Sequence, residues 1–328
     1  MHSRRSFLKL AAAAAAPGIP PALREAPLNV RVAVLKFGTV NWELDVIVHN
    51  ALDRANDVAV KVVELAGKDG TTVALQAGAV DVIVTDWLWV SRRRAEGADF
   101  TFASHSGATG GVMVPGDSKA RTVADLKGRR VGIAGGPTDK SWIMLRAYAR
   151  KTLGMDLAKD VEPVFGAPPL LNALIQKGEL QAVLNFWHYE ARLKAAGYRE
   201  LIQVRDMLPA LGLSEPPPII GWVFSEKWAR QEPDAIGGFL KASRRAKQLL
   251  AASDAEWDRI RPLTEAENDA TFAALRASYR AGITPVSNAG QIAAAEKLMP
   301  ILFELAGADM VGPSANVTPG TFWTGASE

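Results

Sequence analysis

Two stretches of the chain repeat one another at an interval of 100 residues. Residues 76–87 read QAGAVDVIVTDW and residues 176–187 read QKGELQAVLNFW, with identical Gln, Gly and Trp positions. This order predicts one unit built twice: the end of a helix, a glycine cap, a buried strand, and an aromatic residue at the carboxyl end of that strand. Trp42 and Trp142 extend the same register. Two similar α/β lobes that present Trp at strand ends are most simply a clamp for a small molecule.

Strands and helices alternate through the first half of the chain. Asn41 is predicted to cap a helix whose apolar residues recur at helical spacing as far as Ala55. Predicted strands occupy residues 30–37, 58–65, 80–85 and 100–104, and shorter helices occupy residues 71–77 and 87–96. Such alternation is typical of βαβ units and a mainly parallel sheet.

The same pattern starts again after the linker at residues 116–119. A proline-rich break at residues 215–218 then marks the return of the chain to the first lobe, and residues 219–224 are predicted to form the returning strand. Helices follow over residues 233–251, 265–279 and 291–306, and we expect them to pack around the first lobe. The predicted organisation is residues 28–113 for the first part of lobe one, 114–214 for lobe two, and 215–328 for the return to lobe one with C-terminal helices and a tail.

The N-terminal residues 1–22 are predicted to be a twin-arginine signal peptide. Arg4 and Arg5 precede Phe7-Leu8-Lys9, and a short alanine-rich stretch and a small-residue exit follow. The apolar stretch is too short to span a bilayer, which needs about 20 residues. We therefore expect a periplasmic protein that does not span the membrane once mature.

Charge and cysteine content exclude several functions. Arg4, Arg5 and Lys9 account for the formal net charge of +3, so a mature chain that starts near residue 23 is about neutral. Such a chain lacks the basic surface that nucleic-acid binding requires. Because the chain has no cysteine, disulfides, thiolate metal sites and a lipid-modified cysteine are excluded.

The opening of the second lobe, residues 122–133 with the sequence TVADLKGRRVGI, carries a resemblance to a known family. Together with the two Gln-x-Gly strand entries, it resembles periplasmic solute-binding proteins of ABC importers in the nitrate, sulfonate and taurine group, which also includes binders of thiamine-pyrimidine precursors. The resemblance covers roughly residues 28–260. It implies an α/β, bilobal, periplasmic-binding-protein-like type II fold, with two doubly wound lobes joined by two crossovers and followed by C-terminal helices. It also implies a ligand between the lobes, with an ABC permease and its ATPase as partners.

One segment departs from the pattern of this family. Residues 85–89, with the sequence TDWLW, stand where members of the group usually have a turn rich in Gly or Ser. The resemblance therefore does not transfer the identity of the ligand, which stays open among sulfonates, amines, pyrimidines and carboxylates.

Ligands of open parallel sheets bind beyond the carboxyl ends of the strands, and this rule selects the candidate ligand-binding residues. In lobe one they are Phe37, Gly38, Thr39, Trp42, Thr71, Thr85, Asp86, Trp87, Thr109 and Gly110. In lobe two they are Thr138, Asp139, Lys140, Ser141, Trp142, Asn185, Trp187 and His188. Each tryptophan is either a core residue or a ligand-facing ring, and His188 is either a ligand contact or a half-exposed surface residue.

Residues 135–141, with the sequence GGPTDKS, admit two interpretations. The free N–H groups at the start of a helix, with Lys140 beside them, bind an anion, or the segment is an ordinary Thr or Asp N-cap after a tight turn. Asp86 and Asp139 are likewise either caps or crevice-facing carboxylates. An unpaired carboxylate is costly to bury, so crevice-facing carboxylates favour an amine or nitrogen heterocycle as ligand.

Two other classes of function compete with solute binding. An exported periplasmic enzyme on the same bilobal fold is the main alternative, but the sequence shows no hydrolase or zinc-protease motif and its four histidines are scattered. The resemblance also includes enzymes that synthesise pyrimidines, and it implies that they need Cys and His residues that this chain lacks. A regulator's effector domain would follow a DNA-binding segment, whereas an export signal stands at this N-terminus. We expect no catalytic residues, no cofactor and no metal site.

Overall fold

The computed structural model describes residues 26–36, 38–137, 139–283 and 288–325. Its strands, in chain order, are β1 Leu28–Leu35, β2 Val58–Leu65, β3 Val82–Thr85, β4 Phe100–Ser106, β5 Gly111–Val114, β6 Arg130–Ala134, β7 Glu162–Gly166, β8 Ala182–Asn185, β9 Arg199–Gln203 and β10 Ile220–Ser225. Short 3-10 helices lie at Arg54–Asn56, Val123–Leu126 and Pro209–Leu211.

Helices connect and cover these strands. They are α1 Val40–His49, α2 Lys68–Gln76, α3 Trp87–Ala95, α4 Lys140–Leu153, α5 Leu157–Asp160, α6 Pro168–Gln176, α7 Trp187–Ala195, α8 Val204–Met207, α9 Glu226–Gln231, α10 Pro233–Ala252, α11 Asp254–Thr264, α12 Asp269–Ala281, α13 Asn288–Ala306 and α14 Ala308–Val311. Within the described residues, no helix has the length and hydrophobicity needed to cross a bilayer.

The described strands form two five-stranded sheets, and each sheet defines a lobe. Lobe one has the strand order β2-β1-β3-β10-β4, and lobe two has the order β7-β6-β8-β5-β9. The pairs of β1 with β2 and β3, and of β6 with β7 and β8, are parallel. In each sheet, the strand that arrives by crossover, β10 or β5, runs antiparallel to both of its neighbours. The predicted two-lobed fold with two crossovers is thereby confirmed.

The first crossover ends slightly earlier than the predicted lobe boundary. We expected lobe two to start at residue 114, whereas β5 pairs with β8 and β9 from Gly111 onward. Residues 111–113, which the sequence assigns to lobe one, thus already belong to a central strand of the second sheet. The return takes place before β10, which pairs with β3 and β4.

The repeat at an interval of 100 residues is a repeat in three dimensions. Strands β3 and β8 begin and end 100 residues apart, as do helices α3 and α7. Gly78 and Gly178 precede the two strands in the left-handed conformation, with φ of 69° and 76°. Glycine adopts this conformation without the steric strain that a side chain imposes. The same backbone path therefore leads into the central strand of both lobes.

The first helix is shorter than the sequence pattern predicts. It begins after Thr39 and ends at His49, and Ala51 then takes a φ of 51°, which interrupts the apolar periodicity that extends to Ala55. Asn41 lies inside the helix rather than at its cap, and its side-chain amide donates to the carbonyls of Leu35 and Lys36, each at 2.9 Å. This amide ties the helix to the end of β1.

The C-terminal helices do not all pack around lobe one. Helix α10 covers β1 and α1 of lobe one, as the sequence predicts, and α11, which the sequence analysis did not identify, also packs against α1. Helix α12, however, packs against α7 of lobe two, and α13 packs against α4 of lobe two. The C-terminal region therefore packs against helices of both lobes.

Candidate functional site

The carboxyl ends of β1, β3, β6 and β8 lead into helices α1, α3, α4 and α7. The starts of α3 and α4 meet between the lobes, and so do the starts of α1 and α7. Lys140, the first residue of α4 in lobe two, reaches Asp86 at the start of α3 in lobe one, with 3.4 Å between Nζ and Oδ2. We call the region around this contact the crevice. The sequence analysis selected both residues, and the structure brings them together from the two lobes.

Asp86 is buried and fully engaged. Its Oδ1 accepts the backbone N–H of Trp89 at 2.8 Å, which caps α3, and its Oδ2 accepts from Lys68 Nζ at 2.8 Å. Burial alone would raise the pKa of Asp86, but the nearby charges of Lys140 and Lys68 outweigh it and hold this pKa below its usual value. One carboxylate is therefore shared between two ammonium groups.

Asp139 caps its own helix. Its Oδ1 accepts the backbone N–H groups of Ser141 at 2.8 Å and Trp142 at 3.3 Å. A carboxylate thus occupies the N–H groups that an anion would need at this helix start, so the structure adopts the N-cap arrangement. Burial raises the pKa of Asp139, against the opposing effect of Lys140. Since neither Asp139 nor Asp86 is unpaired, the premise of the amine-ligand hypothesis is not met.

Two tryptophans meet across the lobes. The ring centroids of Trp42 in lobe one and Trp187 in lobe two are 5.9 Å apart, in an edge-to-face arrangement. Tyr279 of α12 lies 6.1 Å from each ring. Trp42 is 4% exposed and Trp187 is partly exposed, so of this pair Trp187 is the more accessible to a solute.

The other two tryptophans of the predicted clamp are core residues. Trp87 is 1% exposed and packs against Phe322 at a centroid distance of 6.0 Å. Trp142 is 2% exposed and packs against Phe165 at 6.5 Å. Of the two alternatives that the sequence left open for each tryptophan, Trp87 and Trp142 adopt the core position, and one ring from each lobe reaches the junction.

Three further candidates have internal roles. Thr71 is buried and donates to the carbonyl of Lys68 at 2.7 Å. Asn185 is buried, donates to Asn172 Oδ1 at 2.8 Å and accepts from the backbone N–H of Phe186. Gly110 lies so close to the Asn185 carbonyl that a Cβ atom would be 1.7 Å from its oxygen. These residues fix the backbone at the crossover and at the strand ends instead of facing a ligand.

The remaining candidates differ in accessibility. Gly38, Thr39, Thr109 and Ser141 are partly exposed, and Phe37 and Thr138 lie outside the described residues. Thr85 Oγ1 and His188 Nδ1 are buried and have no hydrogen-bond partner within the described parts of the chain. Buried polar atoms are rarely left without a partner, and these two atoms therefore differ from the candidates whose hydrogen bonds are satisfied within the protein. Burial, with a contribution from Arg192, lowers the pKa of His188 to about 4, so its imidazole is neutral at pH 7.

Arg192 of α7, in lobe two, contacts α11, which packs against lobe one, and the sequence analysis did not identify this contact. Its guanidinium donates to the carbonyl of Thr264 at 2.9 Å and forms an ion pair with Glu267 at 2.6 Å. Both partners lie near the junction of α11 and α12. No local pattern marks Arg192, because its acceptors lie more than 70 residues away along the chain.

A buried polar cluster lies behind Trp42, in lobe one, and the sequence analysis did not find it. Glu43 is fully buried and accepts hydrogen bonds from Ser243 Oγ at 2.5 Å, from Tyr279 Oη at 3.2 Å and from Lys247 Nζ. Lys247 Nζ also lies 2.8 Å from His105 Nδ1. Burial favours the neutral carboxyl, but the ammonium group of Lys247 outweighs it, and the pKa of Glu43 is lowered.

Stability is expected to depend on pH through His105. Burial, reinforced by Lys247, lowers the pKa of His105 to about 3, from 6.5 in the unfolded chain. Between these values the unfolded chain binds a proton that the folded chain does not, so the free energy of unfolding falls as the pH falls, by up to about 1.4 kcal/mol per pH unit. Urea unfolding from pH 7 to pH 4.5 should show a shallower dependence for His105→Gln than for the wild type. Equal slopes for the two proteins would contradict the assignment.

Comparison with known proteins places the chain in a family. The family described as NMT1/THI5 like matches residues 54–256. The chain belongs to this family. No curated relative matches the chain.

Solved structures share the fold. The periplasmic aliphatic sulphonate binding protein SsuA from Escherichia coli is 20% identical, with a TM-score of 0.71 over 91% of this chain and 92% of that chain. The alkanesulfonate-binding protein SsuA from Xanthomonas axonopodis pv. citri, bound to MOPS, is 20% identical, with a TM-score of 0.65 over 90% and 98%. A putative periplasmic sulfonate-binding protein SsuA from Methylobacillus flagellatus KT is 14% identical, with a TM-score of 0.66 over 91% and 92%. The resemblance drawn from the sequence is thus confirmed in family and fold.

Proposed function

We propose that this protein is the periplasmic substrate-binding component of an ABC importer and no enzyme. It captures a small organic solute between its lobes and delivers it to a membrane permease that an ATPase drives. The observation that carries the proposal is the meeting of Lys140 with Asp86 at facing helix starts, where two lobes of a binding-protein fold contact one another. Family membership and the likeness to sulfonate-binding proteins support it.

The charges around this contact favour an anionic solute. Lys68 and Lys140 share the single carboxylate of Asp86, and Asp139 is engaged by its own helix. Two ammonium groups therefore converge on one carboxylate, while the carboxylate of Asp139 is held by the first backbone N–H groups of α4, and a sulfonate or carboxylate that enters the crevice can bind these two ammonium groups. Close opposite charges at a partly buried site interact strongly. Thr85 Oγ1 and the neutral imidazole of His188 are candidates for the remaining hydrogen bonds.

The sign of the ligand charge is tested by removing the charge of Asp86. Asparagine retains an oxygen that caps α3, so Asp86→Asn frees both lysines with little change at the helix start. We expect Asp86→Asn to bind 1-butanesulfonate about tenfold more tightly than the wild type, and Lys140→Ala to bind it about tenfold more weakly, a change of about 1.4 kcal/mol in each case. Lys151→Ala, an exposed lysine near the opposite end of α4, is the matched control. Isothermal titration calorimetry measures the affinities.

Binding of a cationic probe, butylammonium, distinguishes an amine solute from an anionic one. If butylammonium binds to the wild type and loses affinity in Asp86→Asn, the solute class is an amine and the anion assignment is overturned. If neither probe binds at the crevice while a candidate solute is chemically converted by the protein, the binding function itself is overturned in favour of an exported enzyme.

Export by the twin-arginine pathway is a separate proposal that rests on Arg4 and Arg5. Replacing both by lysine keeps the charge and removes the paired arginines that define the signal. We expect the double variant to accumulate uncleaved in the cytoplasm, while the wild type is recovered from the periplasmic fraction. Immunoblots of the two fractions measure this, and normal export of the double variant would contradict the assignment.

A further inference from the structure

A cavity of about 320 Å³ lies in lobe one, on the face of the sheet that α10 covers. Its described lining comes from the end of β4 and the crossover after it, from β10 and α10, and from the C-terminal region after α12. No residue of the lobe-two sheet or of helices α4 to α8 is among this lining, so the cavity is distinct from the crevice. Its volume lies at the lower end of the range of small-molecule sites.

The cavity wall has an apolar part and a polar part. Trp222, which is 1% exposed, Leu240 and Ile283 supply apolar surface. Ser104 and Ser106 at the end of β4 supply hydroxyl groups. Such a wall suits a small solute with an apolar body and one polar group.

The charges around the cavity do not balance. Lys247 lines the cavity but is matched by Glu43, which lies beneath it. Arg244, which is exposed like its neighbour Arg245, lines the cavity as well, and no carboxylate or carbonyl among the described residues accepts a hydrogen bond from its guanidinium. The described lining contains no carboxylate. Arg244 therefore contributes one positive charge without a counter-charge.

His105 adds a donor of fixed position. Its Nδ1 faces Lys247 Nζ at 2.8 Å, and an ammonium group is only a donor, so Nδ1 is the accepting nitrogen of the ring. The proton of the neutral imidazole is thereby assigned to Nε2. Trp222 holds the ring in place with an edge-to-face contact at 4.6 Å. His105 is therefore a neutral donor in a lining that also contains the cation of Arg244.

We propose that this cavity is a second binding site, which takes a small organic monoanion with an aromatic or other apolar body. Its carboxylate or sulfonate group meets Arg244 and the donor of His105, and its body packs against Trp222. The site lies within lobe one and does not depend on the solute bound between the lobes. It adjoins the first crossover, where the N–H of Gly107 donates to the carbonyl of Gly282 at 3.3 Å.

Crystals soaked with 4-bromobenzenesulfonate locate the site directly, because the anomalous signal of bromine distinguishes the cavity from the crevice. We expect a bromine peak in the cavity of the wild type that is absent from Arg244→Ala. Arg245→Ala is the matched control, since Arg245 is the next residue of α10, is exposed and donates to Gln248 at 3.0 Å. Calorimetry in solution should show binding that weakens about tenfold in Arg244→Ala and is unchanged in Arg245→Ala.

Three results would overturn the proposal. The first is a wild-type bromine peak in the crevice alone, or none at all. The second is an equal loss of affinity in Arg244→Ala and Arg245→Ala, which would indicate only the general charge of α10. The third is equal affinity for the uncharged 4-bromobenzenesulfonamide, which would show that Arg244 selects no anion. Each result is independent of whether 1-butanesulfonate binds between the lobes.

Discussion

Replacing Glu43 with glutamine is expected to lower the free energy of unfolding by about 3–5 kcal/mol, the range found when one partner of a buried ion pair is removed. Glu43 is fully buried, and the side chain of Lys247 is 17% exposed. Glutamine has nearly the same shape, but its single amide oxygen replaces only one of the two carboxylate oxygens that accept from Ser243 and Tyr279, and it leaves the ammonium group without a counter-charge. Urea unfolding at pH 7, monitored by circular dichroism, measures the change.

A second substitution isolates the charge from the packing. Glu43→Gln combined with Lys247→Met removes both charges and retains side chains of similar length. We expect the double variant to recover most of the lost stability, because two neutral groups no longer leave a charge buried. Glu304→Gln, in an exposed pair with Arg150, is the control and should change stability by less than about 1 kcal/mol. A double variant as unstable as Glu43→Gln alone would show that the loss comes from packing.

The sequence was sufficient for the architecture because the determinants of each βα unit are local. Glycine at 78 and 178 caps a helix, and the apolar run after it has the length of a strand. Neither feature needs information from elsewhere in the chain. A local pattern does not define where a helix ends. The apolar spacing beyond His49 continues the helical period and predicts a longer α1, whereas the backbone turns at Ala51.

The sites were harder to predict because they depend on contacts between distant segments. Trp87 and Trp187 occupy the same position of the repeat, yet Trp87 is covered by Phe322 of the C-terminal segment, and Trp187 meets Trp42. No local pattern separates these two environments. Glu43 gives no signal for the same reason, since Lys247 lies 204 positions later and comes near it only after the chain has returned to lobe one.

In the crevice, the sequence predicted that Lys140 and Asp86 belong to the site but not which groups they contact. Their positions at helix starts after central strands were enough to select both residues. Which of several partners each would take was not predictable, because Lys68 competes with Lys140 for one carboxylate. The hypothesis of an amine ligand assumed unpaired carboxylates in the crevice, whereas Asp86 is paired with Lys68 and Lys140.

Trp42→Ala is expected to lower the free energy of unfolding by about 3–5 kcal/mol, the usual cost of truncating a buried tryptophan. Trp42 is 4% exposed, its ring lies 5.8 Å from Trp257, and its Nε1 donates to the carbonyl of Leu263 at 3.0 Å. These contacts join α1 to α11. The side chain that the repeat marked as a clamp residue therefore acts first as part of the lobe-one core.

The matched variant for Trp42 is Trp187→Ala, on the opposite side of the same ring contact. Trp187 is partly exposed, so Trp187→Ala should lower the free energy of unfolding by less than Trp42→Ala does. Relative to its loss of stability, Trp187→Ala should weaken the binding of 1-butanesulfonate more than Trp42→Ala does. Urea unfolding and calorimetry on the two variants and the wild type measure both quantities. If Trp42→Ala unfolds like the wild type but no longer binds the solute, Trp42 faces the ligand and the core assignment is wrong. If both variants lose stability equally and bind normally, the ring pair holds the lobes together without contacting the solute.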